Sequence, residues 1–467
     1  MNQFKGQATK RLSLIDSTFL SLETRDTPMH IACLQIYALP VGAPPDFVKR
    51  IVKRFRNPSV LASPFNLQLT AAPMSRLLPA MSVAKNIDLD YHVRHSALPD
   101  PGGERELGEL VSHLHSQLLD RTRPLWTCHV IEGLYDNRFA IYIKLHHALA
   151  DGISATRMMA RALATEPDGA WRPLWEQAQS GAEPKSNHSS DETPKLQSKL
   201  APSEWPRVMA QAFRPMVLRE NDVEPVLRPF EAPRSVLNGR VTNARRVATQ
   251  QLDLQRVKRL AKQTGGSLND VFLAVCSAAL RRHLLSQGAL PQKSLIAGVP
   301  VSLREAGDDT SSNAVGYLWA ALGTEIVDPL ERIAVIRASM EASKNHLKSL
   351  PPQARKIFTQ LTVMPSALAM MSGFGAKFRP PMNLTISNVP GPEKTLYLNG
   401  APMLANYPIS IPAQGQALNI TCVSYAGQLN IGFTGSRDSL PHLQKMAVYA
   451  GEALDELEVL LATRSKH

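Results

Sequence analysis

The chain has 467 residues, 44% of them hydrophobic and 20% charged, with a formal net charge of +12. That length exceeds what a single hydrophobic core organises, and the balance is that of a folded globular protein, which excludes fibrous, low-complexity and disordered classes. Basic residues are interleaved with acids along the whole chain, with no basic stripe carrying stacking aromatics, so no nucleic-acid partner is expected; the positive field suits polyanionic small molecules and lipid headgroups.

The cysteines, Cys33, Cys128, Cys276 and Cys422, are scattered without a C-x-x-C pair, which fits a reduced, cytoplasmic compartment. The polar first ten residues carry no secretory signal pattern. Residues 357–376 are apolar but interrupted by Gln360, Pro365, Ser372, Gly373 and Gly375, so a spanning helix is not expected there. Their basic flanks, Arg355, Lys356, Lys377 and Arg379, leave two readings open: a segment lying at an anionic lipid surface, or a buried helix with solvated ends.

In chain order, residues 105–119 place Leu107, Leu110, Val111, Leu114 and Leu118 on one stripe of a helix. Residues 125–132 and 138–145 are strand-like runs joined by a polar turn with Asp136 and Asn137, the pattern of a hairpin. A second helix is expected over 153–164. Residues 176–205, rich in Ser, Pro, Lys, Gln and Glu, read as a flexible linker between a domain at 1–175 and another at 206–467. Beyond it, a helix over 254–262 stops at Gly265-Gly266, Ser267 caps another over 268–286, and strands are expected at 294–303 and 382–389. Residues 417–425 and 428–434 pair across Ala426-Gly427, and a helix over 440–461 follows. Helices alternating with hairpins in both halves predict two mixed α/β sandwich domains. Phosphate-loop, dinucleotide-fingerprint and G-x-S-x-G patterns are absent, which disfavours nucleotide-driven and serine-hydrolase chemistry.

The chemistry concentrates in His146-His147-Ala148-Leu149-Ala150-Asp151-Gly152. Strand alternation puts Phe139, Ile141, Ile143, Leu145 and His147 on one face, and Tyr142, Lys144 and His146 on the other. A histidine continuing an apolar face can hold a neutral imidazole ready to take a proton from a hydroxyl; the plainer alternative is a core histidine satisfied by a carbonyl. Asp151 has no further acidic or histidine cluster nearby, so no metal is expected.

This segment is similar to the H-H-x-x-x-D-G signature of the acyltransferase superfamily that includes chloramphenicol acetyltransferases and peptide-synthetase condensation domains. Pro124-Leu125-Trp126, Asn269-Asp270-Val271-Phe272-Leu273-Ala274, the stretch Leu14 to Leu20, Pro300-Val301-Ser302-Leu303-Arg304 and Ser387-Asn388-Val389-Pro390-Gly391-Pro392 narrow the resemblance to bacterial wax ester synthase/acyl-CoA:diacylglycerol acyltransferases, over essentially the full length. The resemblance implies two chloramphenicol-acetyltransferase-like domains with the active site between them. It implies long-chain acyl-CoA as donor substrate, no resident cofactor, and a long-chain alcohol or diacylglycerol as acceptor, met at an inner membrane face or lipid inclusion.

It further implies His147 as general base without a covalent intermediate, His146 and Gly152 as parts of the same turn, and an Asp151–Arg304 pair between the halves. Asn269 and Asp270 either cap a helix or approach the catalytic turn. Ser387 and Asn388 are candidates to donate to an oxyanion or, alternatively, shape the turn before Pro390, while Trp126 is expected to pack behind the hairpin. Two rival readings are an amide-forming relative of condensation domains and a non-catalytic protein coating lipid inclusions.

Overall fold

The computed structural model describes residues 10–70, 79–177, 205–217, 227, 230–302, 315–351, 354–355, 357–358, 361 and 379–464. Arg304, linker residues 178–204 and all but three residues of the 357–376 segment lie outside these. In chain order the first half contains β1 (Lys10–Arg11), α1 (Leu14–Leu22), β2 (His30–Ala38), α2 (Phe47–Arg56), β3 (Leu67–Leu69), β4 (Ala80–Val83), α3 (Leu89–His92), β5 (Val93–Ala97), α4 (Glu104–Ser116), β6 (Trp126–Leu134), β7 (Arg138–His146) and α5 (Gly152–Ala162). Then follow α6 (Trp205–Val217), β8 (Arg245–Asp253), α7 (Leu254–Gln263), α8 (Leu268–Ser286), β9 (Ile296–Ser302), β10 (Val315–Ala321), α9 (Pro329–Ser349), β11 (Leu384–Val389), β12 (Tyr397–Leu398), β13 (Ala401–Ile409), β14 (Leu418–Tyr425), β15 (Gln428–Ser436) and α10 (Gln444–Arg464).

Two six-stranded mixed sheets organise the molecule, in the orders β12-β13-β2-β7-β6-β5 and β10-β9-β11-β14-β15-β8. Both expected hairpins form. β6 and β7 pair antiparallel around a turn where Asp136 and Asn137 have φ of 59° and 52°. β14 and β15 pair around Ala426 and Gly427, with φ of 46° and 78°. Two successive left-handed residues match the twist of a tight hairpin, which is why Asn and Gly occupy these corners. Ser267 caps α8 as expected, its Oγ accepting from the Asp270 amide at 3.3 Å while Asp270 Oδ2 accepts from the Ser267 amide at 2.7 Å. The helical reading of 105–119 runs one turn too long: α4 ends at Ser116, where the buried Lys144 ammonium donates to the carbonyls of Leu114 and Gln117, both at 2.8 Å, and Leu118 is left exposed.

The two sheets do not divide cleanly at the linker. Residues 397–409, placed by the sequence reading in the second domain, cross over and extend the first sheet, β13 pairing antiparallel with β2 from Met403↔Tyr37 to Ile409↔Ala32. The halves also join along β8, the edge strand of the second sheet. The Ser112 and Ser116 hydroxyls, one turn apart on α4, accept from the amides of Val247 and Arg245 at 3.0 Å each. Edge amides that water would otherwise meet are thus satisfied by the neighbouring unit.

Candidate active site

β7 positions the two histidines. Its face bearing Phe139, Ile141, Ile143 and Leu145 enters the core that includes Trp126, while Ala140 and Tyr142 of the other face enter a separate cluster under α4. His146 is the last strand residue, opposite His30 of β2. Its amide donates to the Leu125 carbonyl at 3.0 Å, and that of His147 donates to the Met29 carbonyl at 2.9 Å. The turn then tightens: Leu149 donates to the His146 carbonyl at 2.9 Å, and Ala148 and Leu149 pack with Leu20, Leu67, Met81, Leu119 and Leu125.

The two rings differ in environment. His146 is fully buried, and its Nδ1 accepts from the Ala148 amide at 3.1 Å. An amide can only donate, so a neutral His146 carries its proton on Nε2, directed at Glu23 Oε1 3.5 Å away, a contact at the outer limit of hydrogen bonding. His147 is partly exposed as a residue, and its ring stacks on Phe19, with centroids 4.0 Å apart and planes 20° apart. Its Nδ1 is buried and meets no hydrogen-bond partner among the described residues. Burial pulls its pKa down to about 4, Asp151 opposing that shift. The imidazole is therefore neutral at physiological pH.

Asp151 caps α5, accepting from the Ser154 amide at 2.7 Å, and is itself buried. Gly152 opens that helix. Among the described residues a methyl built on it would come nearest to Val389 Cγ2 of β11, at 3.9 Å, so the second sheet reaches the histidine turn there. Alternation along β11 separates the oxyanion candidates: Asn388 shares a face with Leu384 and Ile386, which are core residues, whereas Ser387 shares a face with Val389. Gly391 is required by contact, because a side chain there would collide with the Ser424 carbonyl.

Trp126 is core, as expected: it is fully buried, stacks on His92 and Trp175, and donates from Nε1 to the Phe65 carbonyl at 2.8 Å. Asp270 serves the capping box described above, and its Oδ1 is buried without a partner among the described residues. Asn269 is half-buried on the first turn of α8, and among the described residues the hydrogen bonds of Asp270 stay within its own helix start, with Ser267. Among the described residues no group of three or more His, Cys, Asp or Glu is arranged to hold a metal ion.

Two residues of this site had no role in the sequence reading: Phe19, noted only inside the stretch Leu14 to Leu20, and Glu23, which escaped it altogether. Glu23 sits with its side chain almost wholly buried, bonded to the Met29 amide at 3.1 Å and to Arg121 Nε at 2.9 Å. Burial disfavours its charge, but His146, the Met29 amide and Arg121 together outweigh that and hold its pKa below the usual carboxylate value. An acid placed between an apolar helix and an apolar strand was the available signal.

Residues 12–272 match the wax ester synthase/diacylglycerol acyltransferase catalytic domain, and residues 311–458 match the WS/DGAT C-terminal domain. A putative diacylglycerol O-acyltransferase of Mycobacterium tuberculosis is 40% identical over 97% of this chain and 98% of its own. The O-acyltransferase WSD of Acinetobacter baylyi is 39% identical over 96% and 97%. The solved wax ester synthase/diacylglycerol acyltransferase of Marinobacter aquaeolei VT8 superposes with a TM-score of 0.78 at 36% identity, covering 97% of this chain and all of that one. The fold is shared more distantly with a trichothecene 15-O-acetyltransferase from Fusarium sporotrichioides, at TM-score 0.61 and 12% identity over 97% and 96% of the two chains.

Proposed function

The chain belongs to the wax ester synthase/diacylglycerol acyltransferase family, and from that premise we propose that it transfers a long-chain acyl group from acyl-CoA to the hydroxyl of a long-chain alcohol or a diacylglycerol, with His147 as general base. The observation that carries the assignment to His147 is a neutral imidazole on a partly exposed residue, in a turn within reach of the second sheet. With Nδ1 sealed, Nε2 is the nitrogen left to meet the acceptor hydroxyl.

The acceptor oxygen attacks the thioester carbonyl as its proton passes to Nε2. The tetrahedral intermediate then expels the coenzyme A thiolate, which takes that proton back. A C–O bond forms, a C–S bond breaks, and the imidazole is regenerated. Because an imidazole of such low basicity holds a proton poorly, transfer is expected to accompany C–O bond formation and not precede it. The absence of an acyl-enzyme step is supported by the cysteines: all four are buried, and burial pushes their thiols above the usual range, so no thiolate is at hand. Ser387, on the face of β11 that reaches Gly152, is the better placed of the two oxyanion candidates.

The acceptors are insoluble, the chain carries a formal charge of +12, and among the described residues no helix is long and apolar enough to cross a membrane. Attachment at a membrane face or lipid-inclusion surface through electrostatic and shallow apolar contacts accounts for all three. Labelled palmitoyl-CoA offered with hexadecanol, diacylglycerol or a long-chain amine tests the reaction, read by product identity and free thiol. Ester plus stoichiometric thiol is expected. Amide as the main product would point instead to condensation-type chemistry, and no thiol release would leave a binding protein.

A further inference from the structure

We propose that helix α1 is the positioning element of the active site: Phe19 fixes the His147 ring by stacking on it, and Glu23, one helical turn on, backs His146 from beneath. The inference rests on the reading of His147 as base. No role for either side chain follows from the histidine motif itself.

Six contacts join into one support. Ser13 caps the start of α1, accepting from the Asp16 amide at 3.1 Å, and Arg121 grips its end, donating to the Leu20 carbonyl at 2.6 Å and to Glu23. Glu23 Oε1 faces both His146 Nε2 and the Met29 amide, and the Met29 carbonyl receives the His147 amide. One backbone residue, Met29, thereby links the acid under the first histidine to the main chain of the second. Glu23 caps the C-terminal end of α1, its amide donating to the Phe19 carbonyl at 3.2 Å, so the two residues are tied to the same last turn, beside the two histidines. Leu20 anchors the helix in the cluster that holds Ala148 and Leu149.

The ring of His147 needs such support. Among the described residues its Nδ1 meets no hydrogen-bond partner, and the face of Phe19 is what packs against the imidazole. A base that swings by an ångström loses its line to the acceptor hydroxyl, and misplacement of that size costs on the order of 10²-fold in rate. Stacking also keeps water off one face of the ring while leaving its edge open to substrate.

The experiment compares purified wild type, Phe19→Leu, Phe19→Tyr, Glu23→Ala and Glu23→Gln. Phe19→Leu is expected to lower kcat by roughly 10- to 100-fold with KM for palmitoyl-CoA within about 2-fold, and Phe19→Tyr to retain most of kcat because the stacked face survives. Glu23→Ala should lower kcat similarly, and Glu23→Gln less, since its carboxamide oxygen still accepts from the Met29 amide and still faces His146 Nε2. Wild-type kcat in folded Phe19→Leu, or a rise in KM with kcat intact, would overturn the proposal. A second readout is independent of turnover. In histidine-labelled protein, with His147 signals assigned by their loss in His147→Gln, the ring current of Phe19 should shift those signals upfield, and the shift should vanish in Phe19→Leu. Unchanged signals would refute the stacking claim, whereas a wild type that releases no thiol would refute the acyl-transfer reading and leave the positioning claim to the spectra.

Discussion

Val389 Cγ2 stands 3.9 Å from the place a methyl group on Gly152 would occupy, so the glycine that opens α5 is not forced by the chain's own packing. Its φ also lies outside the left-handed region. If His147 is the base, the bare position beside the histidine turn leaves room for substrate. Gly152→Ala should keep or raise thermal stability, by up to about 1 kcal/mol from lost unfolded-state entropy, yet lower kcat/KM for palmitoyl-CoA. Parallel unfolding and initial-rate measurements decide it, and an Ala variant with undiminished kcat/KM would show that the gap is idle.

His147→Ala should remove about 10²–10⁴-fold of the transfer rate while the protein stays folded, and His146→Ala should lower the rate less, by loosening the turn. In the proposed reaction the neutral imidazole is the active form, and its pKa is pulled down to about 4 from an ordinary value of 6.5. Activity is therefore lost as pH falls through about 4, and kcat/KM should be nearly level from pH 8 to 5. An acid limb centred at 6.5 would mean that the ring is not desolvated as the structure has it.

Ser387 and Asn388 are neighbours in sequence but face opposite ways, and their substitutions should separate accordingly. If Ser387 donates to the oxyanion, Ser387→Ala costs roughly 10²–10³-fold in kcat with little change in stability. Asn388→Ala, on the core side of β11, should act mainly on the melting temperature. Equal kinetic losses in both would tie them to the turn before Pro390 instead.

Asp151 holds the Ser154 amide, so Asp151→Ala should lose a helix cap worth about 1 kcal/mol, whereas Asp151→Asn keeps an acceptor oxygen there. The expected partnership with Arg304 makes a further claim: removing either member of a buried pair costs about 3–5 kcal/mol, and the two losses should not add. A double-mutant cycle in urea measures this. Strict additivity of Asp151→Ala and Arg304→Ala would dispose of the pair.

What the sequence made legible was set by near neighbours. The hairpin corners at Asp136-Asn137 and Ala426-Gly427, the Ser267 cap and the alternating faces of β7 each depend on residues within a few positions, and each formed as read. The strand 401–409 carries no mark of its partner, because its pairing with β2 is chosen by the whole second half folding against the first. Glu23 was opaque for a related reason: its contacts, Arg121 and His146, lie about a hundred residues away. Lys144 shows the converse failure, a charged residue read only by face that in fact ends α4 and is pulled down to about pKa 7 by burial.

The crossing of β12 and β13 also sets a timetable for biosynthesis. β2 emerges from the ribosome early, but the strand that covers its open edge ends at residue 409. At ~5–20 residues per second, that edge waits for tens of seconds with its amides and carbonyls unpaired. The nascent first half is thus an aggregation hazard for most of its own translation, and a chain truncated anywhere before β13 is a target for chaperones and proteases.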